Sequence, residues 1–397
     1  MFLPRTLSFA TLLVLAHIAC GADWPHFRGP DRTGISLETQ WRSEWKGDIP
    51  VAWKASVGLG YSGVVVSRGR LATAGYANGK DTVYCFDAVS GKSLWTHSYP
   101  AELGDRYYEG GTTGAPTFDG EHLFWVSRWG DLKCFEAATG RIVWEKNIAA
   151  ETGAPVPTWG ITGAPLVTGD LLVLNVGDAG AAVEKTTGKL VWKSAAKDCG
   201  YSTPLPWGSL AIFGSAKGYV AVKIKTGEEV WRVRWLTEYG VNAADPVLGD
   251  GRMFVSSGYG KGGALFRLSG EAAPEEIWKT KNLRTQLNAA VLFEGHLYGV
   301  DGDTTQKATL KCLDFQTGEE KWAEPGFGSG GVIVAGGRLL ALSGIGELMI
   351  APASPAGFKP TARTQVFGPN AWTAPVLANG FVYCRNGRGE LVALPLQ

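Results

Sequence analysis

The chain has 397 residues and a formal charge of +1, with 45% hydrophobic and only 19% charged residues. Its 55 Gly, 16 Trp and 3 Met make it Gly-rich, aromatic and poor in helix formers, the profile of an all-β protein built from many short strands. A charge so near zero excludes an extended basic face, so nucleic acid is not an expected partner.

Residues 1–22 stand apart. MFLPR carries one Arg, TLSFATLLVLAHIA is an apolar run of secretory-signal length, and CGA ends in small residues before Asp23. Cleavage is expected after Ala22. At about 13 residues the apolar core is too short to span a membrane as a helix. The expected product is therefore exported, periplasmic or extracellular, and peripheral to a membrane at most. Lipidation at Cys20 is the competing reading, although His17 sits where a lipobox carries Leu. Export favours disulfides, yet Cys85, Cys134, Cys199, Cys312 and Cys384 are an odd number with no adjacent pair. Three of them recur in one setting, VYCFD, LKCFE and LKCLD, which reads as a small buried packing group. No zinc spacing appears.

Residues 23–48 form a leader in which Trp24, Phe27, Arg28 and Pro30 make a compact aromatic and cationic group. One reading is a docking tag for a partner. The preferred one is a segment packed on the domain that follows, with Arg28 stacked on an aromatic ring, because exported chains need their ends tied down.

From residue 49 onward the sequence repeats itself. DAVSGKSLW, EAATGRIVW, EKTTGKLVW, KIKTGEEVW and DFQTGEEKW end at Trp95, Trp144, Trp192, Trp231 and Trp322, and a worn copy, APEEIW, ends at Trp278. With Trp53 in front, the spacings are 42, 49, 48, 39, 47 and 44 residues, and one more interval of 44 lands on Val366, where the Trp is lost. A period near 45 with strand-like content predicts a propeller blade of four strands. In GAPTFDGEHLFWVSRWGDLKCFEAATGRIVWEKN an inner strand, two middle strands and an outer strand follow one another across turns. The acid four residues before the Gly (Asp87, Glu136, Glu184, Asp314) can accept from turn amides, and the Gly can take positive φ. Each Trp then points the same way and docks its outer strand on the neighbouring blade. A ligand box is the rival reading of these rings, and it fails because they repeat around the whole ring.

Seven units run from about Gly58 to Phe367. The C-terminal AWTAPVLANGFVYCRNGRGELVALPLQ holds three strands and no fourth, while DIPVAWKASVG supplies an outer strand, with Trp53, that has no strands before it. Joined, they complete an eighth blade. Residues 49–397 are thus expected to form one eight-bladed β-propeller, closed by an N-terminal outer strand added to the C-terminal blade.

The A-x-D-x-x-T-G-x-x-x-W pattern of DAVSGKSLW and EAATGRIVW resembles the pyrroloquinoline-quinone (PQQ) repeat, and the resemblance covers nearly all of the mature chain. The chain is most similar to exported PQQ-like propellers of the BamB type, an outer-membrane assembly factor. DWPHFRGPDRTGIS, YGVNAADPVLGDGRMFVSSGYG and WTAPVLANGFVYCRNGRGELVAL are similar to signatures of those proteins. The resemblance implies a quinoprotein-like fold serving either as an assembly scaffold or as a PQQ- and calcium-dependent alcohol or sugar dehydrogenase. The dehydrogenases it resembles carry a Ca²⁺ site of carboxylate and amide oxygens, an Asp base and, in many cases, two adjacent cysteines. This chain has no Cys-Cys pair and no assignable Glu, Asn and Asp set. His122 and His296 occupy matching turns in blades on nearly opposite sides of the ring, and with His26 and His97 they form no metal set. No GxSxG elbow or P-loop is present. No catalytic residue or metal ligand is assigned. The expected function is a monomeric, non-catalytic binding scaffold without a cofactor. The PQQ dehydrogenase is the alternative, and a carbohydrate-binding propeller is a further one.

Binding is expected at the channel mouth, where the inner strands begin: GYSG, GTTGAP, WGITGAP, GYSTP, VNAADP, QLNAAV, GSGGV and AWTAP. Small residues are needed there because eight strands converge. Asn242 and Asn288 are the amide exceptions, and the loops above supply Arg106, Tyr107, Tyr108, Glu109, Trp159, Arg284 and Trp372. Aromatic rings with a few charges around a concave mouth suit a sugar, a peptide strand or a quinone, so a protein partner or a glycan is expected at this face. Ordinary rim packing is the plainer alternative.

Overall fold

The second blade shows how one repeat folds. Its strands are Thr117–Asp119, His122–Val126, Asp131–Glu136 and Ile142–Asn147. They pair antiparallel in that order, from the inside of the ring outward. The structure, a computed structural model, describes residues 21–304 and 307–397; the expected signal, with Cys20, lies outside the described residues apart from Gly21 and Ala22. The described residues form eight such sheets, arranged as a β-propeller. Strand Trp53–Ser56 pairs antiparallel with Glu390–Pro395, so the two ends of the chain share the eighth blade. A buried side chain fastens that junction. Arg385, fully buried, donates from Nη1 to Ser62 O (2.9 Å), Thr73 Oγ1 (2.8 Å) and Ala74 O (2.7 Å), and from Nη2 to Gly60 O (2.9 Å), all at the first blade.

The repeated Trp and the repeated Gly explain each other. Trp95, from the first blade, lies on the turn of the second, where a Cβ at Gly140 would stand 2.5 Å from the indole ring. Gly140 has φ +74°, a conformation that already favours Gly. The indole Nε1 of Trp95 donates to Ala137 O in the same turn at 3.0 Å. Trp53 meets Gly91 and Ala88 O in the same way, and Trp144 and Trp192 do so with Gly188 and Gly227. In the first three blades the repeat therefore carries both the ring that docks forward and the Gly that receives the ring behind it, whereas the Nε1 atoms of Trp231 and Trp278 have no partner and nothing lies within 4 Å of a Cβ at Gly270. Across the ladder each Trp faces a small residue in most blades: Cys85, Cys134 and Cys312 oppose Trp95, Trp144 and Trp322, and Ala182 and Ala221 oppose Trp192 and Trp231. The five described cysteines are buried and unbridged.

One feature is not visible in the repeat. The register of the outer strand shifts immediately before Trp95, Trp144, Trp192, Trp231, Trp278 and Trp322. A bulge there re-aims the following ring inward. It also turns Leu94, Val143, Val191 and Ile277 out to solvent.

The leader packs on the inner strands. Trp24 is buried and bridges Val66 in the first blade. Pro25 O accepts from Phe118 N in the second, and Ile35–Ser36 pairs in parallel with the inner strand Gly331–Ala335 of the seventh. Ser36 Oγ donates to Leu377 O in the eighth. Arg28 departs from the expected stacking. Its guanidinium donates to Ala289 O and Ala290 O at the sixth blade (both 2.9 Å) and to Thr33 O, and no ring contact is recorded for it among the described residues. Ring stacking cannot satisfy a guanidinium taken out of water, whereas converging carbonyls can. No helix among the described residues is long and apolar enough to cross a membrane.

Candidate functional site

A cavity lies at the centre of the ring, and the leader contributes to its wall. Phe27 belongs to its lining and packs against the positions of Gly63 and Ala115, at the start of the first two inner strands. The cavity has a volume of about 280 Å³.

Aromatic rings run around much of its mouth. Trp372, entering the eighth blade, stacks on Tyr61, entering the first, at 4.5 Å and 14°. Tyr108 follows at 6.3 Å from Tyr61. The neighbouring Tyr107 lies 6.0 Å from Trp159, which meets Tyr201 edge-on at 5.8 Å. Tyr239, at the rim, links Trp159 to Tyr259 through further edge contacts. The arc closes toward the sixth blade on a different chemistry, with Gln286, Asn288 and Thr304 in the lining.

Buried groups hold this arc in place. Arg128, only 2% exposed, directs Nη1 at Gly104 O (2.8 Å) and Tyr108 Oη (2.7 Å), pinning the loop that carries Tyr107 and Tyr108. Glu109 accepts from Tyr61 Oη (3.1 Å) and from Asn370 Nδ2 (2.9 Å), which ties the same loop to the eighth blade. Burial, reinforced by Glu109, pushes the Tyr61 phenol well above its ordinary range, so the hydroxyl keeps its proton and donates.

Asp245 is the charged residue of the lining. Its Oδ1 accepts from Thr203 N at 2.7 Å, while Oδ2 is buried without a partner. Burial pushes the carboxyl up to about 6 against the opposing charge of Arg28 and Arg32 of the leader. No Lys or Arg lines the cavity, and no cluster of three or more His, Cys, Asp or Glu placed to hold a metal ion occurs among the described residues. PQQ carries three carboxylates, and calcium needs several anionic or carbonyl oxygens. The donor set of this lining does not fit that pair.

The family model described as outer membrane protein assembly factor BamB matches residues 36–113 and 108–324. The chain belongs to this family. No curated protein matches the sequence. BamB from Moraxella catarrhalis superposes with a TM-score of 0.66 at 17% identity, over 88% of this chain and 98% of that one. A europium-containing methanol dehydrogenase gives 0.71 at 14% identity, over 94% and 98%, and quinohemoprotein alcohol dehydrogenase from Comamonas testosteroni gives 0.67 at 14%, over 94% and 80%. Identities this low carry the fold alone, and the fold houses both roles.

In this BamB-family propeller the residues nominated from sequence fall into three groups. Tyr107, Tyr108, Trp159, Asn288 and Trp372 line the cavity together. Arg106 and Glu109 stand at its rim, Arg106 with its guanidinium 5.1 Å from the Tyr107 ring and Glu109 holding Tyr61. Asn242 and Arg284 do not line it. Asn242 is fully buried and bonds Ser215 O, Trp235 O and Ser257 Oγ, a blade-joining role. Arg284 is held by Asp301 at 2.8 and 2.7 Å. Phe27, Tyr61, Tyr201, Tyr259, Gln286 and Asp245 line the cavity without having been nominated. Tyr61 and Tyr201 each sit in a GYS triplet at an inner-strand start, a signal that was available.

Proposed function

We propose that this BamB-family propeller is an exported, non-catalytic binding scaffold that engages its partner at the aromatic mouth of the channel. One observation carries the reading: a preorganised lining of eight aromatic residues with a single carboxylate and no lysine or arginine. Such a surface offers large, rigid contact area at little entropic cost, the property that recurs at recognition sites. It supplies no nucleophile–base pair and no metal set for chemistry. The family's description supports an assembly role, with a protein of the outer-membrane assembly process as the partner. The competing dehydrogenase is tested directly by titrating the purified protein with PQQ, with and without Ca²⁺, and following Trp fluorescence alongside dye-linked alcohol oxidation. The expected result is no saturable, Ca²⁺-dependent quenching and no turnover. Saturable quenching accompanied by turnover would overturn the proposal.

A further inference from the structure

The two sides of the mouth cavity differ in what they leave unsatisfied. On the aromatic side, the stacked pair Trp372 and Tyr61 and the edge-joined pair Trp159 and Tyr201 present carbon-rich faces. On the sixth-blade side, Asn288 spends its Nδ2 on Gly330 O and Trp372 O (3.0 and 2.7 Å), which leaves its carbonyl oxygen to accept. Gln286 lines the same side, but its Oε1 is buried against Gly258 and is not offered to the cavity. The spare amide capacity is therefore an acceptor, which calls for a ligand rich in O–H or N–H donors.

Charge narrows the class. A polyanion meets no lining cation. Aromatic rings alone attract organic cations, but the lone carboxylate of the lining, Asp245, is offset by the positive charge of Arg28 and Arg32, which disfavours a cation here. Those guanidiniums are not offered to the cavity, since Arg28 is committed to carbonyls. An uncharged ligand remains. It must have one face of C–H bonds for the rings and a rim of hydroxyls for the amide. The volume, about 280 Å³, lies near the lower edge of small-molecule sites, which holds a short ligand rather than a long chain.

We infer that the cavity takes a neutral sugar ring, as a monosaccharide or the end of a glycan; this deepens the mouth-binding reading and rests on it. The C–H faces of the ring lie against the indole and phenol rings, and its hydroxyls donate to the free carbonyl oxygen of Asn288.

The test is intrinsic Trp fluorescence and calorimetry on the purified protein with a panel of neutral probes: glucose, galactose, N-acetylglucosamine and their β-linked disaccharides. Choline and PQQ with Ca²⁺ serve as the cationic and anionic probes. The expected result is saturable binding of at least one neutral saccharide. Trp372→Ala and Trp159→Ala weaken it by about tenfold or more, and Trp372→Phe restores most of the loss, which separates a lost contact face from a misfolded blade. Choline binding in place of saccharide binding overturns the inference in favour of a cation box. Absence of any saccharide binding at millimolar concentration overturns it while leaving the mouth-binding scaffold standing. Ca²⁺-dependent PQQ binding overturns both.

Discussion

Replacing Gly140 by Ala should cost far more than the same change at Gly120, although both residues occupy turns of one blade and both have positive φ, +74° and +57°. An Ala in the left-handed region costs about 1–2 kcal/mol by itself. At Gly120 nothing lies within 4 Å of the new methyl, so this is the whole effect. At Gly140 the methyl would stand 2.5 Å from the Trp95 ring, and the ring must withdraw. Withdrawal breaks the Nε1 bond to Ala137 O, a loss of about 0.5–1.5 kcal/mol. Overpacking adds about 1–3 kcal/mol. Gly140→Ala should therefore lose roughly 2.5–6.5 kcal/mol against about 1–2 kcal/mol for Gly120→Ala. Urea unfolding of both variants, compared at equal slope, reads the difference. In the pair Gly140→Ala with Trp95→Ala, the methyl enters space the ring has left, so the double variant should lose less than the sum of the singles. Equal losses at 120 and 140, or strict additivity in the double variant, would refute the docking argument.

Arg385→Leu orphans Gly60 O at the closing junction and removes one of two donors from Ser62 O and Ala74 O, which keep Thr73 Oγ1 and Thr112 Oγ1; at about 1–3 kcal/mol for the orphaned carbonyl and about 0.5–1.5 kcal/mol for each other lost bond, the loss should exceed about 2 kcal/mol in thermal or urea unfolding, and a loss below about 1 kcal/mol would contradict the latch. Arg128→Met should free the 103–111 loop, seen as faster proteolytic cleavage there with the remainder of the chain protected. Asp81, buried with both oxygens unpartnered and facing Tyr99, Arg128 and Asp131, is pushed up to about 7 by burial. The folded chain then keeps a proton that the unfolded chain releases, so this group's contribution is full below the unfolded value and is lost as pH rises through about 7. His26, pushed down to about 4 by burial, opposes that slope only below its ordinary value of 6.5. Asp81→Asn should accordingly flatten the stability profile between about pH 6.5 and 8, and an unchanged profile would dismiss the assignment. Burial pushes the thiols of Cys85, Cys134 and Cys199 up to about 12, so the native protein should not react with a thiol reagent. The denatured protein should titrate five thiols if the signal segment 1–22 is cleaved after Ala22 and six if it is not.

The blade count was legible because each repeat must bury a ring against its neighbour, and that demand writes Gly and Trp into the chain at a fixed interval. Ring closure could be read for the same reason, from three strands at one end and a lone outer strand at the other. The bulge before each Trp could not, since a one-residue slip in register leaves no mark in composition. The mouth was legible only by residue type. Tyr107, Trp159 and Trp372 stand out as large rings on loops, whereas Arg284 and Asn242 look similar in the sequence and prove to be committed to Asp301 and to the blade junction.

What the sequence determined by itself was therefore what repeats in residue type: strands, turns, docking rings and the number of blades. What only the tertiary structure decided was which side chains share one cavity. Tyr61, Asp245 and Phe27 come from the first blade, the fifth blade and the leader. The leader had to pack on the inner strands, with Arg28 drawn to the carbonyls of residues 289 and 290, before Phe27 could join the lining. Contacts between residues more than two hundred positions apart carry no period for a sequence to display; they are selected by packing and by the need to satisfy a buried charge.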